Sequence, residues 1–537
     1  MREENSYRWF LAGLAVMVLC LVCIDAAPAE VVVFPDKKLD AAVRRAIKKP
    51  KGDILKTDLV GTGLTYLTAG WSDVKDLTGL QYCTDLKNLC IAGNPIVNLS
   101  ALAGLTNLEE LDLRESPALS DISGLASLSS LKNLVIEKSQ VNDVSALKGL
   151  SNLEYLSLAE NQIKNVSALA GLTKLEELNL FTNQISDFSA LGGLTNLKIL
   201  CLDNNQISNV SGVTGFPNIE ELHLASNQIS NFGVLAGLKN LSSLNLSSNP
   251  IRDLSGLAGF TNLKSLTLNK NQITDISVLA GLSHLESLDL CENQINDISA
   301  LAGLTNLESL LLNKNQVSDI NALTGLTKLV VLYLNENQIK NLSALAGLTN
   351  LDHLYLVSNQ ISDIKALAGL TKLQELQLET NQISDVSALK GLSNLEYLSI
   401  AENQIRDISA LAALTKLGDL GLSTNQISDI SPLVGLTNLQ SLGLDANQIK
   451  DLSALAKNTG LKVGPTPAGN HHYYCHVFVR GNPLSKEAFS NDIPTLEARK
   501  VQVYYDGMYS LENLKRQESL GIIYVQGLIP SGPPRAK

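Results

Sequence analysis

The sequence predicts an α/β repeat solenoid, because one pattern recurs every 22 residues from Ser139 to Asn447 without insertion or deletion. The most regular turns read L-x-x-L-x-L-x-x-N-Q-I-x-D-I-S-A-L-A-G-L-T-N, as in the turn that begins at Leu285. Leucine at these offsets, with asparagine closing each strand, is the signature of a leucine-rich repeat. Hydrophobic residues make up 45% of the chain and aromatic residues only 4%, which fits a core of stacked leucine and isoleucine side chains.

The segment L-x-x-L-x-L predicts one short strand per turn, since its leucines alternate with variable residues. Parallel stacking of these strands would bury the leucines and expose a concave sheet on an arc or horseshoe. The asparagine after each strand is expected to turn inward and satisfy backbone groups that the bend leaves unpaired, because buried polar groups need partners. The predicted ladder comprises Asn161, Asn183, Asn205, Asn227, Asn249, Asn271, Asn293, Asn315, Asn337, Asn359, Asn381, Asn403, Asn425 and Asn447.

The segment D-I-S-A-L-A-G-L predicts a single 3₁₀ turn on the convex side, because it is too short for a full α-helix. We expect the serine to cap this turn, with Pro432 after Ser431 at a position that tolerates proline. Gly435 is expected to end the turn in a left-handed conformation. The preceding Asp or Asn is expected to cap the turn through its side chain.

Five regions are predicted along the chain. Residues 1–29 form a signal peptide, with an apolar run from Phe10 to Ile24 and small residues at Ala27 and Ala29, so the mature chain should begin near Glu30. Residues 30–63 form an N-terminal cap with a helix over 36–48. About 19 turns follow over 64–484, then a C-terminal cap over 485–506 and a tail over 507–537. The leading apolar run is short for a membrane span, although an uncleaved anchor stays open.

A formal net charge of −11 argues against nucleic acid as a partner, because phosphate binding depends on clustered basic side chains. The same charge disfavours a general affinity for anionic membranes, and no span is expected once the signal is removed. The cysteines of the mature chain show no paired spacing and are expected to be free thiols. We expect a monomer without a cofactor.

The variable strand positions are free of folding constraints and should carry the binding function. Exposed tyrosine is a common anchor of interfaces, although tyrosine also suits strands for structural reasons. The predicted binding residues are Tyr155, Phe181, Tyr333, His353, Tyr355 and Tyr397. Tyr333 and Tyr355 share one offset in consecutive turns and should lie side by side.

Metal and catalytic functions find little support in the sequence. The column of aspartates that includes Asp297 offers one carboxylate per turn, too few for a calcium site. The cluster His471, His472, Cys475 and His476 is a weak candidate for a transition metal, since it matches no closed zinc site. No catalytic constellation is present, so an enzyme is not expected.

The 22-residue repeat resembles that of the bacterial internalins and related secreted leucine-rich repeat proteins, over about residues 34–484. Phe34-Pro35-Asp36 and the predicted helix also resemble the N-terminal cap of that family. The resemblance implies an exported scaffold that binds another protein on its concave face. The chain after Asn482 is too short for the immunoglobulin-like module that often follows in the family, and host invasion is not implied.

The sequence therefore predicts a secreted, periplasmic or cell-envelope scaffold that binds a protein partner and has no catalytic activity. The alternative is a structural or adhesive envelope component that binds glycan or packs laterally. Glycan stays open because the exposed aromatic rings could stack on sugars.

Overall fold

The computed structural model describes residues 30–61, 63–462 and 475–506. The predicted signal peptide, residues 471–474 of the predicted metal cluster and the predicted tail lie outside the described residues. The chain divides into two compact units, Met1–Asn227 and Gln228–Lys537. Each unit is built from the same 22-residue turn.

The N-terminal part of unit 1 contains the helix α1, Lys37–Ala46. Asp36 caps it, since its Oδ1 accepts hydrogen bonds from the backbone N–H groups of Lys38 and Leu39 at 2.9 and 3.2 Å. Leu39 and Val43 are fully buried. A helix is therefore present where the sequence predicts one, although it ends before Ile47, which is half-buried.

Unit 1 contains eight described strands that pair in parallel with their sequence neighbours. They are β1 Tyr66–Thr68, β2 Asn88–Cys90, β3 Glu110–Asp112, β4 Asn133–Val135, β5 Tyr155–Ser157, β6 Glu177–Asn179, β7 Ile199–Cys201 and β8 Glu221–His223. The leucine at the centre of each strand pairs in register with the leucine of the next, as Leu156 does with Leu178.

Unit 2 contains twelve described strands with the same parallel pairing. They are β9 Ser243–Asn245, β10 Ser265–Thr267, β11 Ser287–Asp289, β12 Ser309–Leu311, β13 Val331–Tyr333, β14 His353–Tyr355, β15 Glu375–Gln377, β16 Tyr397–Ser399, β17 Asp419–Gly421, β18 Ser441–Gly443, β19 His476–Phe478 and β20 Gln502–Tyr504. The register is kept across the irregular stretch before β19, where Leu442 pairs with Val477.

Short 3₁₀ helices return the chain from one strand to the next, as the sequence predicts. In unit 1 they are Lys56–Asp58, Leu80–Tyr82, Ser100–Leu102, Ser123–Leu125, Ser145–Leu147, Ser167–Leu169, Ser189–Gly193 and Ser211–Gly215. In unit 2 they are Gly233–Gly237, Ser255–Gly259, Ser277–Gly281, Ser299–Gly303, Asn321–Leu323, Ser343–Leu345, Lys365–Gly369, Ser387–Gly391, Ser409–Ala413 and Ser431–Gly435.

The C-terminal part of unit 2 contains the remaining helices. They are the α-helices α2 Ser453–Lys457 and α3 Ile493–Ala498, with a π-helix at Ala488–Asp492.

The capping of these turns differs from the prediction in two respects. Ser431 is the first residue of its 3₁₀ helix, and the cap is provided by Asp429, whose Oδ1 accepts from the N–H of Ser431 at 2.8 Å. The aspartate or asparagine two residues upstream caps the turn, as the sequence predicts for that column, whereas the predicted cap by serine is wrong. Gly435 does not adopt a positive φ; the left-handed residue of each regular turn is the one before the ladder asparagine, such as Glu292 with φ 54°.

The core of each unit is a stack of leucine, isoleucine and valine side chains. The five cysteines of the described ranges are free thiols. Cys83 and Cys475 are buried, whereas Cys90, Cys201 and Cys291 are partly exposed. Burial raises the pKa of the Cys83 thiol to about 12, which keeps it protonated and unreactive at neutral pH.

Candidate binding surface

The candidate surface is the outward side of the strands, here called the strand face. In β14 the central Leu354 is fully buried, whereas His353 and Tyr355 on either side are half-buried and point outward. Each turn presents three such positions: the first and last residue of the strand, and the residue two places after it. Consecutive turns bring equivalent positions together because the strands pair in register.

The asparagines lie on the inner side and fix where each strand ends. Asn293 is 8% exposed, and its Nδ2 donates to the carbonyl oxygens of Leu268, Leu290 and Cys291 at 3.0, 3.1 and 3.1 Å. Its Oδ1 accepts from the N–H of Ile273 at 3.1 Å. One side chain therefore satisfies backbone groups of two successive turns. The same contacts recur at the neighbouring ladder positions, for example at Asn315.

Tyr333 and Tyr355 form a stacked pair in the middle of unit 2. Their ring centroids are 4.1 Å apart and the rings are 4° from parallel. Burial, followed by hydrogen bonding to Glu375 and to Tyr333, raises the pKa of Tyr355 well above its ordinary value. The Tyr355 hydroxyl therefore stays protonated beside the Glu375 carboxylate.

His353 lies beside this pair, between two carboxylates. Its Nε2 is 3.7 Å from Oε2 of Glu375, and its Nδ1 is 3.3 Å from Oδ2 of Asp352, without hydrogen-bond geometry. Glu375 thus contacts both His353 and Tyr355, and it joins the imidazole to the tyrosine pair.

Tyr397 lies on β16, at the position equivalent to His353 but two strands further on. Glu375 separates the two in the register, and Asp419 follows Tyr397 on its other side. Burial raises the pKa of Tyr397, and the charges of Glu379, Glu375 and Asp419 raise it further. Tyr333, His353, Tyr355 and Tyr397 therefore lie on one stretch of strand face that is rich in carboxylates.

The other two predicted binding residues lie in unit 1. Tyr155 is half-buried on β5, and Phe181, two residues after β6, is 38% exposed. No stacking between the two rings is present among the described residues of this unit. Burial raises the pKa of Tyr155, and the charges of Glu177 and Glu137 raise it further.

One aromatic cluster on the strand face is missing from the prediction. Phe478 of β19 stacks on Tyr504 of β20 with centroids 4.6 Å apart, and the guanidinium of Arg480 lies 5.5 Å from the Tyr504 ring centroid. His476 Nδ1 is 3.2 Å from the Tyr504 hydroxyl. The sequence contains a pattern that predicts this cluster. In the terminal turn and in the closing strand, alternate residues are core valines: Val477 and Val479, then Val501 and Val503. The residues between them must therefore face outward.

The candidate metal cluster is only partly within the described residues, which include Cys475 and His476. Cys475 is buried, with its Sγ 3.5 Å from the carbonyl oxygen of Leu439, whereas His476 lies on the strand face beside Tyr504. The two side chains thus point to opposite sides of the sheet. Within residues 30–61, 63–462 and 475–506, no group of three His, Cys, Asp or Glu side chains is arranged to hold a metal ion.

The aspartate column is engaged in turn contacts. Asp297 Oδ1 accepts from the N–H of Ser299 at 2.8 Å, and this backbone donor holds the pKa of Asp297 below its ordinary value. Asn341 makes the equivalent contact with Ser343 at 2.9 Å. These are the turn contacts that the sequence predicts for this column.

Comparison with known proteins places this architecture in a family. The model for leucine-rich repeats in two copies matches residues 84–127, 151–193, 173–215, 217–259, 261–303, 305–347, 349–391, 393–433 and 419–457. An internalin from Listeria monocytogenes, InlF, is 34% identical over 69% of this chain and 97% of its own, with a TM-score of 0.51. The chain belongs to the internalin-like leucine-rich repeat proteins.

More distant structures share the fold. A leucine-rich repeat protein of Leptospira interrogans is 24% identical over 79% of this chain and 97% of its own, with a TM-score of 0.61. The ectodomain of the receptor kinase GASSHO1/SCHENGEN3 from Arabidopsis thaliana, solved in complex with Casparian strip integrity factor 2, is 21% identical. That match covers 76% of this chain and 57% of the ectodomain, with a TM-score of 0.58.

A search of curated proteins finds no significant match. None of the helices in the described ranges of this internalin-like protein has the length and apolar character needed to cross a bilayer.

Proposed function

We propose that this internalin-like protein is an exported, non-catalytic scaffold that binds a protein partner through the strand face of unit 2. Tyr333, His353, Tyr355 and Tyr397 are its anchors. The observation that carries the proposal is the stacked pair Tyr333–Tyr355. Both rings are half-exposed on the outward side of the sheet, where folding does not require an aromatic residue.

The chemistry of this surface favours recognition over catalysis. Tyrosine supplies a rigid apolar ring with a polar tip, a combination that is enriched among residues that dominate binding energy. The rings, the imidazole and the carboxylates lie on an open sheet instead of in a closed cavity, so water would reach any reacting group. The solved complex of the distant plant ectodomain supports the idea that this fold presents a binding surface.

Export is part of the proposal and is supported by the pattern of residues 1–29 and by the kinship with internalins. N-terminal sequencing of protein recovered from the extracellular or envelope fraction should find Glu30 as the first residue. Recovery of the chain with Met1 intact would instead favour the uncleaved anchor.

The binding surface is tested by the double variant Tyr333→Ala/Tyr355→Ala. We expect this variant to lose capture of the natural partner from extracellular and envelope fractions, while its thermal unfolding stays within about 2 °C of the parent protein, because neither ring is part of the core. The matched control is Asn245→Ala/Thr267→Ala, which alters the same strand position in two consecutive turns and should leave capture unchanged.

Two outcomes decide against the proposal. Unchanged capture by the tyrosine variant would show that the partner binds elsewhere. Capture that a mixture of envelope glycans abolishes, but that protease treatment of the fraction leaves intact, would favour the glycan-binding alternative.

A further inference from the structure

The strand face between the two aromatic pairs of unit 2 is acidic. Strands β15–β18 present twelve outward positions, here called the acidic trough. Four of them are carboxylates, and none is lysine or arginine. The positions are Glu375, Gln377, Glu379, Tyr397, Ser399, Ala401, Asp419, Gly421, Ser423, Ser441, Gly443 and Asp445.

The floor of the acidic trough is low over β16–β18, because the central residues Ser399, Gly421 and Gly443 are small. Gln377, Ser399, Gly421 and Gly443 pair in register along it. A β-carbon at Gly421 would lie 2.6 Å from Ser399 Oγ, so the serine hydroxyl covers the glycine and makes this part of the floor polar. Nε2 of Gln377 donates to Oε1 of Glu375 at 3.1 Å, at the edge of the floor beside Tyr355.

Aromatic rings close both ends of this floor at the same strand position. Tyr355 precedes Gln377 in the register and Phe478 follows Gly443. Each ring has one face against its own partner, Tyr333 or Tyr504. The two ends are five strand spacings apart, about 24 Å at about 4.8 Å for each spacing.

The carboxylates along the two sides are incompletely neutralised by the chain itself. Oε2 of Glu379 is buried and has no hydrogen-bond partner. Burial raises the pKa of Asp419 and of Asp445, as expected where few charges of opposite sign compensate desolvation. At the ends, His353 Nε2 lies 3.7 Å from Oε2 of Glu375, and Arg480 moderates the raised pKa of Asp445.

We propose that the acidic trough binds an extended basic segment of the partner polypeptide, with arginine side chains directed at Glu375, Glu379, Asp419 and Asp445. The inference rests on the proposed function and names the chemistry of the partner at that surface. Charge complementarity carries it, because guanidinium groups bind carboxylates bidentately and also stack on aromatic rings such as those at the two ends. A segment that spans about 24 Å at about 3.3 Å per residue has about seven residues.

The test uses the full-length mature chain and a fluorescein-labelled peptide, Arg-Gly-Arg-Gly-Arg-Gly-Arg, followed by fluorescence anisotropy. We expect saturable binding that weakens as salt is raised and that a matched peptide with glutamine in place of arginine does not show. The variant Glu375→Gln/Asp419→Asn should bind about tenfold more weakly, from about threefold for each partly exposed ion pair.

The matched control is Glu177→Gln/Glu221→Gln in unit 1, which also removes two carboxylates from the first position of strands that lie two apart. Glu221 lies at the same strand position as Glu375 and has the same histidine contact, 3.7 Å from Oε2 to Nε2 of His223. This control should leave the affinity within twofold. Equal loss in the control would show that the peptide responds to overall charge alone, and would overturn the inference, as would equal binding of the glutamine peptide.

The two proposals fail separately. Partner capture that depends on Tyr333 and Tyr355, together with no binding of the arginine peptide, would refute the basic segment and leave the protein-binding function standing. Preferential binding of a neutral oligosaccharide at the trough, lost in Glu375→Gln/Asp419→Asn, would refute it in favour of glycan. Peptide binding at the trough without tyrosine-dependent capture would refute the proposed anchors alone.

Discussion

Two stretches of unit 2 share one backbone and present different surfaces. In the first, here called the serine segment, strands β9–β12 begin with Ser243, Ser265, Ser287 and Ser309, and their twelve outward positions include the single carboxylate Asp289. The acidic trough has four carboxylates at the equivalent positions. The strand register, the 3₁₀ turns and the buried leucines are the same in both stretches.

Folding and recognition depend on different positions of the repeat. Buried leucine, asparagine and isoleucine recur because each turn packs only on its neighbours and must match them. Outward positions make no such match. The serine segment and the acidic trough can therefore differ without destabilising the frame, meaning the buried leucine, isoleucine and asparagine side chains and the backbone that they hold. Substitutions at frame positions should therefore act alike in both stretches, and substitutions on the strand face should not.

The largest effect is expected from the ladder asparagines. Asn293→Ala in the serine segment and Asn359→Ala beside the tyrosine pair should each lower the free energy of unfolding by about 1–3 kcal/mol, because buried backbone groups lose their partners. Asn359 Nδ2 donates to Leu334, Leu356 and Val357 carbonyl oxygens at 2.9, 3.2 and 3.2 Å, much as Asn293 does in its own turn.

Thermal and urea unfolding of both variants measure this effect. Losses that agree within about 0.5 kcal/mol would support a frame that is indifferent to the strand face. An unchanged free energy of unfolding for Asn293→Ala would contradict the idea that the ladder stabilises the fold.

Most of the fold could be predicted from the sequence, because the repeat has a fixed period. The period fixes which residues are buried, because only one assignment of the alternating leucines buries them all, and the strands, the 3₁₀ turns and the N-terminal helix follow from it. Tyr333 and Tyr355 could be placed side by side by their shared offset alone. The contact of Tyr355 with Glu375 could not, because Glu375 lies at a different offset on the next strand and the distance depends on side-chain rotamers.

The role of serine in the turns and the aromatic cluster of β19 and β20 were not predicted correctly, each for a local reason. Serine and aspartate are both good caps and the sequence predicts a cap from each; the structure shows that the aspartate or asparagine accepts the hydrogen bond, while serine supplies the N–H. The aromatic cluster at Phe478 and Tyr504 lies after an interruption of the repeat, where the offset had to be re-established from the valines instead of from leucine and asparagine.

A smaller effect is expected at the left-handed residue before each ladder asparagine. Glu292 has φ 54° and Ser358 has φ 55°, a conformation that costs a residue with a side chain about 1–2 kcal/mol. Glycine removes that cost but gains freedom in the unfolded chain worth about 0.4–1 kcal/mol. Glu292→Gly and Ser358→Gly should each stabilise by about 0.5–1 kcal/mol.

Urea unfolding midpoints of the two glycine variants provide the measurement. Because φ is nearly identical at Glu292, in the serine segment, and at Ser358, beside the tyrosine pair, the shifts should share their sign and approximate size. Opposite signs would mean that the strand face does influence the backbone, and the separation of frame from surface would break down.

The smallest effect separates two kinds of aspartate by the sign of their pH dependence. The N–H of Ser299 lowers the pKa of Asp297, whose turn follows the serine segment strand β11, whereas burial raises the pKa of Asp419 in the acidic trough. A lowered folded-state pKa contributes stability that is present above the unfolded value of about 3.9 and is lost as the pH falls through the folded pKa. A raised folded-state pKa does the reverse, since its contribution is present at low pH and is lost as the pH rises through the folded pKa.

At pH 7, Asp297→Asn should therefore melt slightly below the parent protein and Asp419→Asn slightly above it, and both differences should shrink towards pH 2.5. Asparagine already fills the cap position at Asn341, so the turn itself tolerates the change. Melting temperatures that moved in the same direction for both variants at pH 7 would mean that the carboxylates of the acidic trough are held as favourably as the turn caps, and would remove the electrostatic reason for a cationic partner.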